Sequence, residues 1–286
     1  MRKLIALDVD GTLLTDNHEL TEKNREAILA AQEQGHVVMI CSGRAPDSVR
    51  ETLKEMRISC PFAASNGAVV CVDEKILDEI NLSMEQVEQV SAILEAENMP
   101  YRLYTNKGVY ELPNWKERVE NVINSGKVPD VYRQDKRFDL ILERPPSYKH
   151  VSHYSDLSEL KLERELTIQK FFVLTLDPAQ KSKLNEELQQ NRSIGVTTSA
   201  FHNLEIMNTN AHKGHGIQVM AKHFGIDMED TIAIGDNYND VPMFKVAGLS
   251  IAMGNAENVI KKMCDTVTLT NEESGVGRAL ETYVLK

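Results

Sequence analysis

Leu4 to Val9 is an almost unbroken apolar run, and it ends among carboxylates: Lys3 to Leu14 reads KLIALDVDGTLL. A strand-length hydrophobic segment without alternation suits a strand buried on both faces of a parallel sheet. In an open α/β sheet, ligands bind beyond the carboxyl ends of the strands, so Asp8 and Asp10 would stand where chemistry is done. Asp10-Gly11 alone is also an ordinary turn pair. Its meaning therefore depends on what else reaches the same edge.

The chain supplies further elements of the same kind. Thr21 caps an expected helix to about Gln34, stopped by Gly35. His36 to Cys41 is a second buried strand, ending on Ser42-Gly43-Arg44, and Pro46 opens a helix to about Met56. Phe62 to Ser65 is a short strand, Asn66-Gly67 a turn, and Ala68 to Val72 with Lys75 to Leu77 a hairpin. From Ser83 the pattern changes. A capping box at Ser83 to Gln86 opens a helix, and paired strands follow at 101–105 and 109–112. Helices are expected at 115–123, 157–165 and 178–190, with strands near 138–142, 168–176, 195–198 and 203–207. This order suggests a separate α+β domain with an antiparallel sheet. The βα rhythm then resumes with a helix from Lys213 to Phe224, stopped by Gly225, and a strand from Thr231 to Ile234 that ends at Gly235-Asp236. The remaining helices are expected at 240–247, 256–264 and 275–284, and strands at 249–253 and 266–269. The fold class is thus α/β, a parallel core built from residues 1–82 and 209–286, with residues 83–208 inserted.

A length of 286 residues accommodates two such domains. The net charge of −11 argues against nucleic acid and anionic membranes as partners, but a small phosphorylated metabolite can still be held by local cations and a metal. The N-terminal apolar run is broken by Asp8 and Asp10 and lacks a cleavage site, and no run reaches spanning length. Cys41, Cys60, Cys71 and Cys264 form no metal or redox spacing, so a cytoplasmic location with reduced thiols is expected. Oligomeric state is not legible.

Three strand ends carry polar groups: Asp8 with Asp10, Ser42 with Gly43, and Asp236 with Asn239 and Asp240. Asp8, Asp10 and Asp236 are hard oxygen donors suited to Mg²⁺. His212 and His215 make an HxxH pair, but no third ligand for zinc accompanies it.

DVDGTLL at Asp8, a strand ending in Ser42, Lys213 opening a helix, and GDNYND from Gly235 to Asp240 resemble the four motifs of the haloacid dehalogenase (HAD) superfamily. The insertion between the second and third motifs, the Ser65 to Ala68 turn and the Glu205-Ile206 strand resemble its Cof-type phosphatases, which carry a large cap at this point. Ala211-His212 departs from the Val-Ser pair common before the lysine. The resemblance implies that Asp8 is a nucleophile carrying an aspartyl-phosphate. It makes Asp10 the general acid and base, with its backbone carbonyl on Mg²⁺ beside Asp8 and Asp236. Val9, Ser42, Gly43, Lys213 and Asn239 would contact phosphate, and Asp240, Arg44 and Asn66 would support them. Carboxylate nucleophiles split a difficult displacement into two steps, and positioned donors supply much of phosphoryl-transfer catalysis. A phosphomutase of the same superfamily and a metabolite-binding regulator with little turnover are the alternatives.

Overall fold

The computed structural model describes residues 1–134, 138 and 151–285. Contacts divide the chain into two compact units, Met1–Glu79 with Ala211–Lys286, and Ile80–Asn210.

The first unit begins with β1 (Leu4–Leu7), every residue of which is fully buried. Thr21 then caps α1 (Glu22–Glu33) by accepting the Asn24 N–H, and the chain turns through Gly35 into β2 (Val37–Cys41). Pro46 opens α2 (Pro46–Met56), which closes on a left-handed Arg57 and leads to β3 (Phe62–Ala64). The hairpin of β4 (Val69–Val72) and β5 (Lys75–Glu79) turns at Asp73 and Glu74, both at positive φ.

In the second unit, the expected capping box is formed reciprocally by Ser83 and Gln86 and starts α3 (Met84–Ala96). β6 (Tyr101–Thr105), β7 (Gly108–Glu111), α4 (Trp115–Asn124) and the short α5 (Asp130–Arg133) follow. After them come β8 (Val151–His153), α6 (Leu157–Leu162), β9 (Ile168–Leu174), α7 (Pro178–Leu188), β10 (Ile194–Thr197) and β11 (Asn203–Asn208). The sheet order is β10-β11-β9-β6-β7-β8. Its pairings are antiparallel except for β8, which lies parallel to β7. Tyr101, Leu103, Phe171 and Val173 put one face of this sheet into a core with Val87, Val90 and Leu94 of α3 and Leu184 and Leu188 of α7.

The chain returns to the first unit with α8 (Lys213–Phe224), ended by a left-handed Gly225, then β12 (Thr231–Gly235) and α9 (Val241–Phe244). β13 (Leu249–Ala252), α10 (Asn258–Lys261), β14 (Thr266–Val267) and α11 (Gly275–Tyr283) complete it. Its sheet runs β14-β13-β12-β1-β2-β3-β4-β5, parallel from β14 to β3 and antiparallel only in the hairpin strands. Alternate β1 residues feed two cores: Ile5 and Leu7 pack with α1 and α11, Leu4 and Ala6 with α8 and α9. The chain therefore winds away from β1 on both sides. That makes the carboxyl end of β1 the topological switch point where α/β sheets place ligands.

The differences from the sequence reading are local. The units change over outside 82/83 and 208/209, because Leu82 already bridges to Ile168 and the Asn208 side chain donates to the Asn81 carbonyl. The helices expected at 157–165, 240–247 and 256–264 are shorter, the second being a 3-10 turn at Tyr238–Asp240 running into α9. The parallel strand β8 was not anticipated. The strand expected near 138–142 lies, apart from Phe138, outside the described residues.

Candidate active site

β1, β2 and β12 run parallel in register, so their carboxyl ends bring the dispersed polar groups to one edge. Asp8 follows β1 and is held there by its N–H, which donates to the Ile234 carbonyl at 3.0 Å. Lys213 is the first residue of α8 and is completely buried. Its Nζ donates to Asp8 Oδ1 and to Asp240 Oδ1, each at 2.5 Å. Asp240 Oδ2 accepts the N–H groups of Asp236 and Asn237, at 2.9 and 3.0 Å, which shapes the turn after β12. Asp236 in turn accepts from the Thr12 hydroxyl at 2.8 Å. A Cβ on Gly11, whose φ is +80°, would come within 2.6 Å of Asp236 Oδ2. Only glycine permits this turn and this approach together.

Asp10 faces another way. Its carboxylate is gripped by Arg44, with Nε to Oδ2 at 2.9 Å and Nη2 to Oδ1 at 2.6 Å, while Arg44 Nη1 donates to Thr52 Oγ1 at 2.6 Å. His18 Nδ1 lies 3.7 Å from the same carboxylate. Val9 is buried between the two aspartates, and its carbonyl accepts the N–H groups that close the Thr12 to Leu14 turn. Ser42 is buried at the end of β2, its Oγ accepting the Arg44 N–H across Gly43 at 3.2 Å. The Ser42 carbonyl accepts from Asn66 N–H, and Asn66 Oδ1 accepts from Asn239 Nδ2 at 3.2 Å. Ser65, Asn66 and Gly67 all have positive φ. This left-handed turn lies against the start of α8: a Cβ on Gly67 would stand 2.3 Å from the His212 carbonyl oxygen.

The electrostatics follow from this crowding. Burial pushes the Asp8 carboxyl up, the nearby Asp240 and Asp10 charges add to it, and Lys213 only partly opposes them, leaving it at about 7. Burial and the charges of Asp8 and Asp240 push Asp236 well above the ordinary carboxylate range. Burial alone would lower Lys213, but Asp240 and Asp8 outweigh it and hold the ammonium charged. For Asp10, burial acts upward and is overcome by the hydrogen bonds and charge of Arg44, so its carboxyl lies below its usual value. The opposing influences on Asp10 that the sequence leaves in balance are thus decided downward, and by Arg44.

Asp8, Asp236 and Asp240 offer oxygens within 4.8 Å of one another. One ammonium among three carboxylates leaves negative charge in excess, and hard oxygens are the donors Mg²⁺ takes. The donor set therefore fits such an ion. Asp240 already uses both oxygens on Lys213 and on backbone N–H groups, so Asp8 and Asp236 are the carboxylates suited to hold it. The Asp10 carboxylate is instead turned to Arg44.

The structure thus brings Asp8, Lys213, Asp236 and Asp240 together, joins Asn239 to Asn66, and pairs Asp10 with Arg44. The His pair has a different use. The His212 side chain caps α8 by accepting the His215 N–H at 3.0 Å, and His215 Nε2 meets Asp78 Oδ2 at 2.6 Å. Thr12 and Thr52 were missed by sequence reasoning. Only Thr12, inside the DGTLL stretch, carried any signal.

The model of the haloacid dehalogenase-like hydrolase family matches residues 5–280. A Bacillus subtilis phosphatase, YwpJ, is 29% identical over 283 residues, covering 98% of this chain and 99% of that protein. The 5-amino-6-(5-phospho-D-ribitylamino)uracil phosphatase YitU of the same organism is 30% identical over 284 residues, covering 98% and 97%. Among solved structures, a haloacid dehalogenase-like hydrolase from B. subtilis superposes with a TM-score of 0.85 at 27% identity, over 98% of this chain and 99% of that one. A sugar phosphatase of HAD subclass IIB shares the fold, with a TM-score of 0.78 at 23% identity and 98% of each chain covered.

Proposed function

The chain belongs to the haloacid dehalogenase-like hydrolases, and we propose that it is a Mg²⁺-dependent phosphatase of a small metabolite that works through an aspartyl-phosphate on Asp8. The substrate class is a sugar phosphate, a nucleotide or a cofactor precursor, and the ribitylamino-uracil phosphatases among its relatives support the last of these. One observation carries the reading: a buried carboxylate at the switch point, held by a buried lysine and faced by two further carboxylates.

Asp8 attacks phosphorus while the bond to the leaving oxygen breaks, and Asp10 gives that oxygen a proton. Water then attacks the aspartyl-phosphate as Asp10 takes a proton from it, the acyl-phosphate P–O bond breaks, and phosphate and free Asp8 are released. For the first transfer Asp10 must hold a proton, so its carboxyl has to part from Arg44, whose two hydrogen bonds keep it ionised. Arg44 is therefore a positioning residue for the acid. Lys213 fixes the Asp8 rotamer, and its ammonium, the Ser42 hydroxyl, the Val9 and Gly43 N–H groups and the Asn239 amide are the donors for phosphoryl oxygens. Asp240 aims Lys213. Asp8, Asp236 and the Asp10 carbonyl would hold Mg²⁺, which would supply charge neutralisation between the carboxylate and phosphate anions. Met1–Glu79 with Ala211–Lys286 make the catalytic core, and Ile80–Asn210 the cap that selects the leaving group. No helix among the described residues is long and apolar enough to cross a membrane, and we place the enzyme in the cytoplasm.

The test is phosphate release from a panel of sugar phosphates, nucleotides and flavin-pathway precursors, with Mg²⁺ and with chelator. Metal-dependent release supports the reading. An isomerised product that requires a bisphosphate activator would make the chain a mutase, and binding without turnover would make it a regulator.

A further inference from the structure

Two asparagines far along the chain, neither of which takes part in the chemistry above, converge on the turn after β1. The Met253 N–H donates to the Gly235 carbonyl and the Gly254 N–H to the Leu269 carbonyl, each at 2.9 Å, so the loops that follow β13 and β14 lie side by side. A Cβ on Gly254 would come within 2.8 Å of the Leu269 carbonyl carbon, so the absence of a side chain there lets the loops meet. Asn271 N–H then donates to Asn255 Oδ1 at 3.0 Å, and Asn255 Nδ2 donates to the Gly11 carbonyl at 2.8 Å. A backbone donor on one side and a backbone acceptor on the other leave the Asn255 amide a single orientation. Asn271 is only 3% exposed, and its Nδ2 donates to the Leu14 carbonyl and to Asp16 Oδ1, both at 3.2 Å. Glu272 Oε1 accepts the Asp16 N–H at 2.7 Å.

These bonds hold both ends of the segment from Gly11 to Asp16. The Gly11 carbonyl belongs to the peptide that joins Gly11 to Thr12, and those two residues frame Asp236: the Thr12 hydroxyl donates to Asp236 Oδ1, and the Gly11 Cα lies close against Asp236 Oδ2. Turning that peptide would carry the hydroxyl off the carboxylate. Asp10, one residue earlier, has to free its carboxyl from Arg44 to carry a proton. With the Gly11 carbonyl held, it does so by rotating its side chain while the backbone stays in place. We propose that Asn255 and Asn271 act as a clamp of positioning residues, fixing the turn from Asp10 to Leu14 on which the acid and the hydroxyl partner of Asp236 are mounted. The proposal deepens the phosphatase reading and rests on it for the reaction. It gives the loops after β13 and β14, which carry no reacting group, a part in catalysis.

Two substitutions of the exposed Asn255 test it in the full-length protein. Asn255→Ala removes the amide, whereas Asn255→Asp keeps its shape and the acceptor for Asn271 N–H and loses only the donor to Gly11. In both, kcat for phosphate release from an aryl phosphate should fall about tenfold, the worth of one such hydrogen bond, with KM unchanged. A space-filling role would instead leave Asn255→Asp as active as wild type, and that result would overturn the proposal. Two readouts need no turnover. Calorimetry of Asn255→Ala with Mg²⁺ alone should find weaker binding than in wild type, and amide exchange at Thr12 to Leu14 should quicken while exchange in β13 stays unchanged. Unaltered Mg²⁺ affinity together with unaltered exchange would overturn the clamp, as would a raised KM with kcat intact. If wild type itself releases no phosphate, the phosphatase reading fails, and Mg²⁺ affinity and exchange decide the clamp alone.

Discussion

Replacing Lys213 by methionine keeps the length of the side chain and removes the ammonium that bridges Asp8 and Asp240. Two charge-assisted hydrogen bonds of 2.5 Å disappear, each worth about 1.5–3 kcal/mol, and the carboxylates are left facing one another. The expected loss at pH 8 without metal is about 3–5 kcal/mol, the usual cost of breaking a buried ion pair from one side. At about 2–4 °C per kcal/mol for a unit of this size, the midpoint should fall by roughly 10 °C. The pH dependence separates this from a packing defect. Asp8 takes up a proton near pH 7 in the folded protein, and without Lys213 it does so at higher pH. Below about pH 6 the repulsion is therefore relieved in the variant, and the Lys213–Asp8 attraction is already weakened in wild type. The destabilisation should shrink to well under half its pH 8 value. The sole tryptophan is Trp115 in the other unit, so its fluorescence does not report this event. Amide exchange in β1 and β12, across a urea series at pH 5.5 and 8, does. Equal losses at the two pH values would refute the electrostatic account of the site.

Further expectations follow from the same geometry. Because the Asp8 and Asp236 carboxyls are raised in the folded state, these two groups bind more protons in the folded protein than in the unfolded chain from about pH 4 to 7. Their contribution to the stability of metal-free protein should therefore fall as pH rises through that window, and Mg²⁺ should raise the melting temperature more at pH 8 than at pH 5. A pH-independent Mg²⁺ effect would contradict this. Arg44→Gln removes what holds the Asp10 carboxyl down, so the Asp10 limb of the kcat/KM profile should move to higher pH. An unmoved limb would show that Arg44 does not act through Asp10. Gly67→Ala puts a Cβ against the His212 carbonyl at a φ of +88°. It should cost about 1–3 kcal/mol and, by shifting the start of α8, lower kcat more than tenfold with little change in KM. A fully active, wild-type-stable Gly67→Ala would show that this close approach does not position Lys213.

Where a structural feature is encoded by neighbours in sequence, it was legible. The capping box at Ser83, α2 opened by Pro46, and α8 running from Lys213 to Gly225 all lie where short-range signals put them. The buried apolar runs likewise identified the parallel core strands, since sidedness needs no partner to be known. Pairings across long separations were not legible. Arg44 is 34 residues from Asp10, and Asn66 is 173 from Asn239. In the sequence Arg44 is simply the last residue of a polar turn, and only the sheet register shows that its fork meets Asp10. The HxxH pair illustrates the converse. Its spacing can hold a metal but comes with no third ligand, and the folded chain uses His212 as a helix cap and His215 as a partner for Asp78. β8 escaped notice because three residues carry no periodicity, and its pairing with β7 depends on residues far along the chain.

The central claim is that Asp8 carries the phosphoryl group, and rapid acid quench during turnover tests it most directly. With Mg²⁺ and a good substrate, mass spectrometry of the digested protein should find the peptide containing Asp8 heavier by one phosphoryl group. The adduct should be labile to hydroxylamine, and both adduct and phosphate release should be absent in Asp8→Asn. Sustained phosphate release by Asp8→Asn, or an adduct on any other residue, would contradict the account.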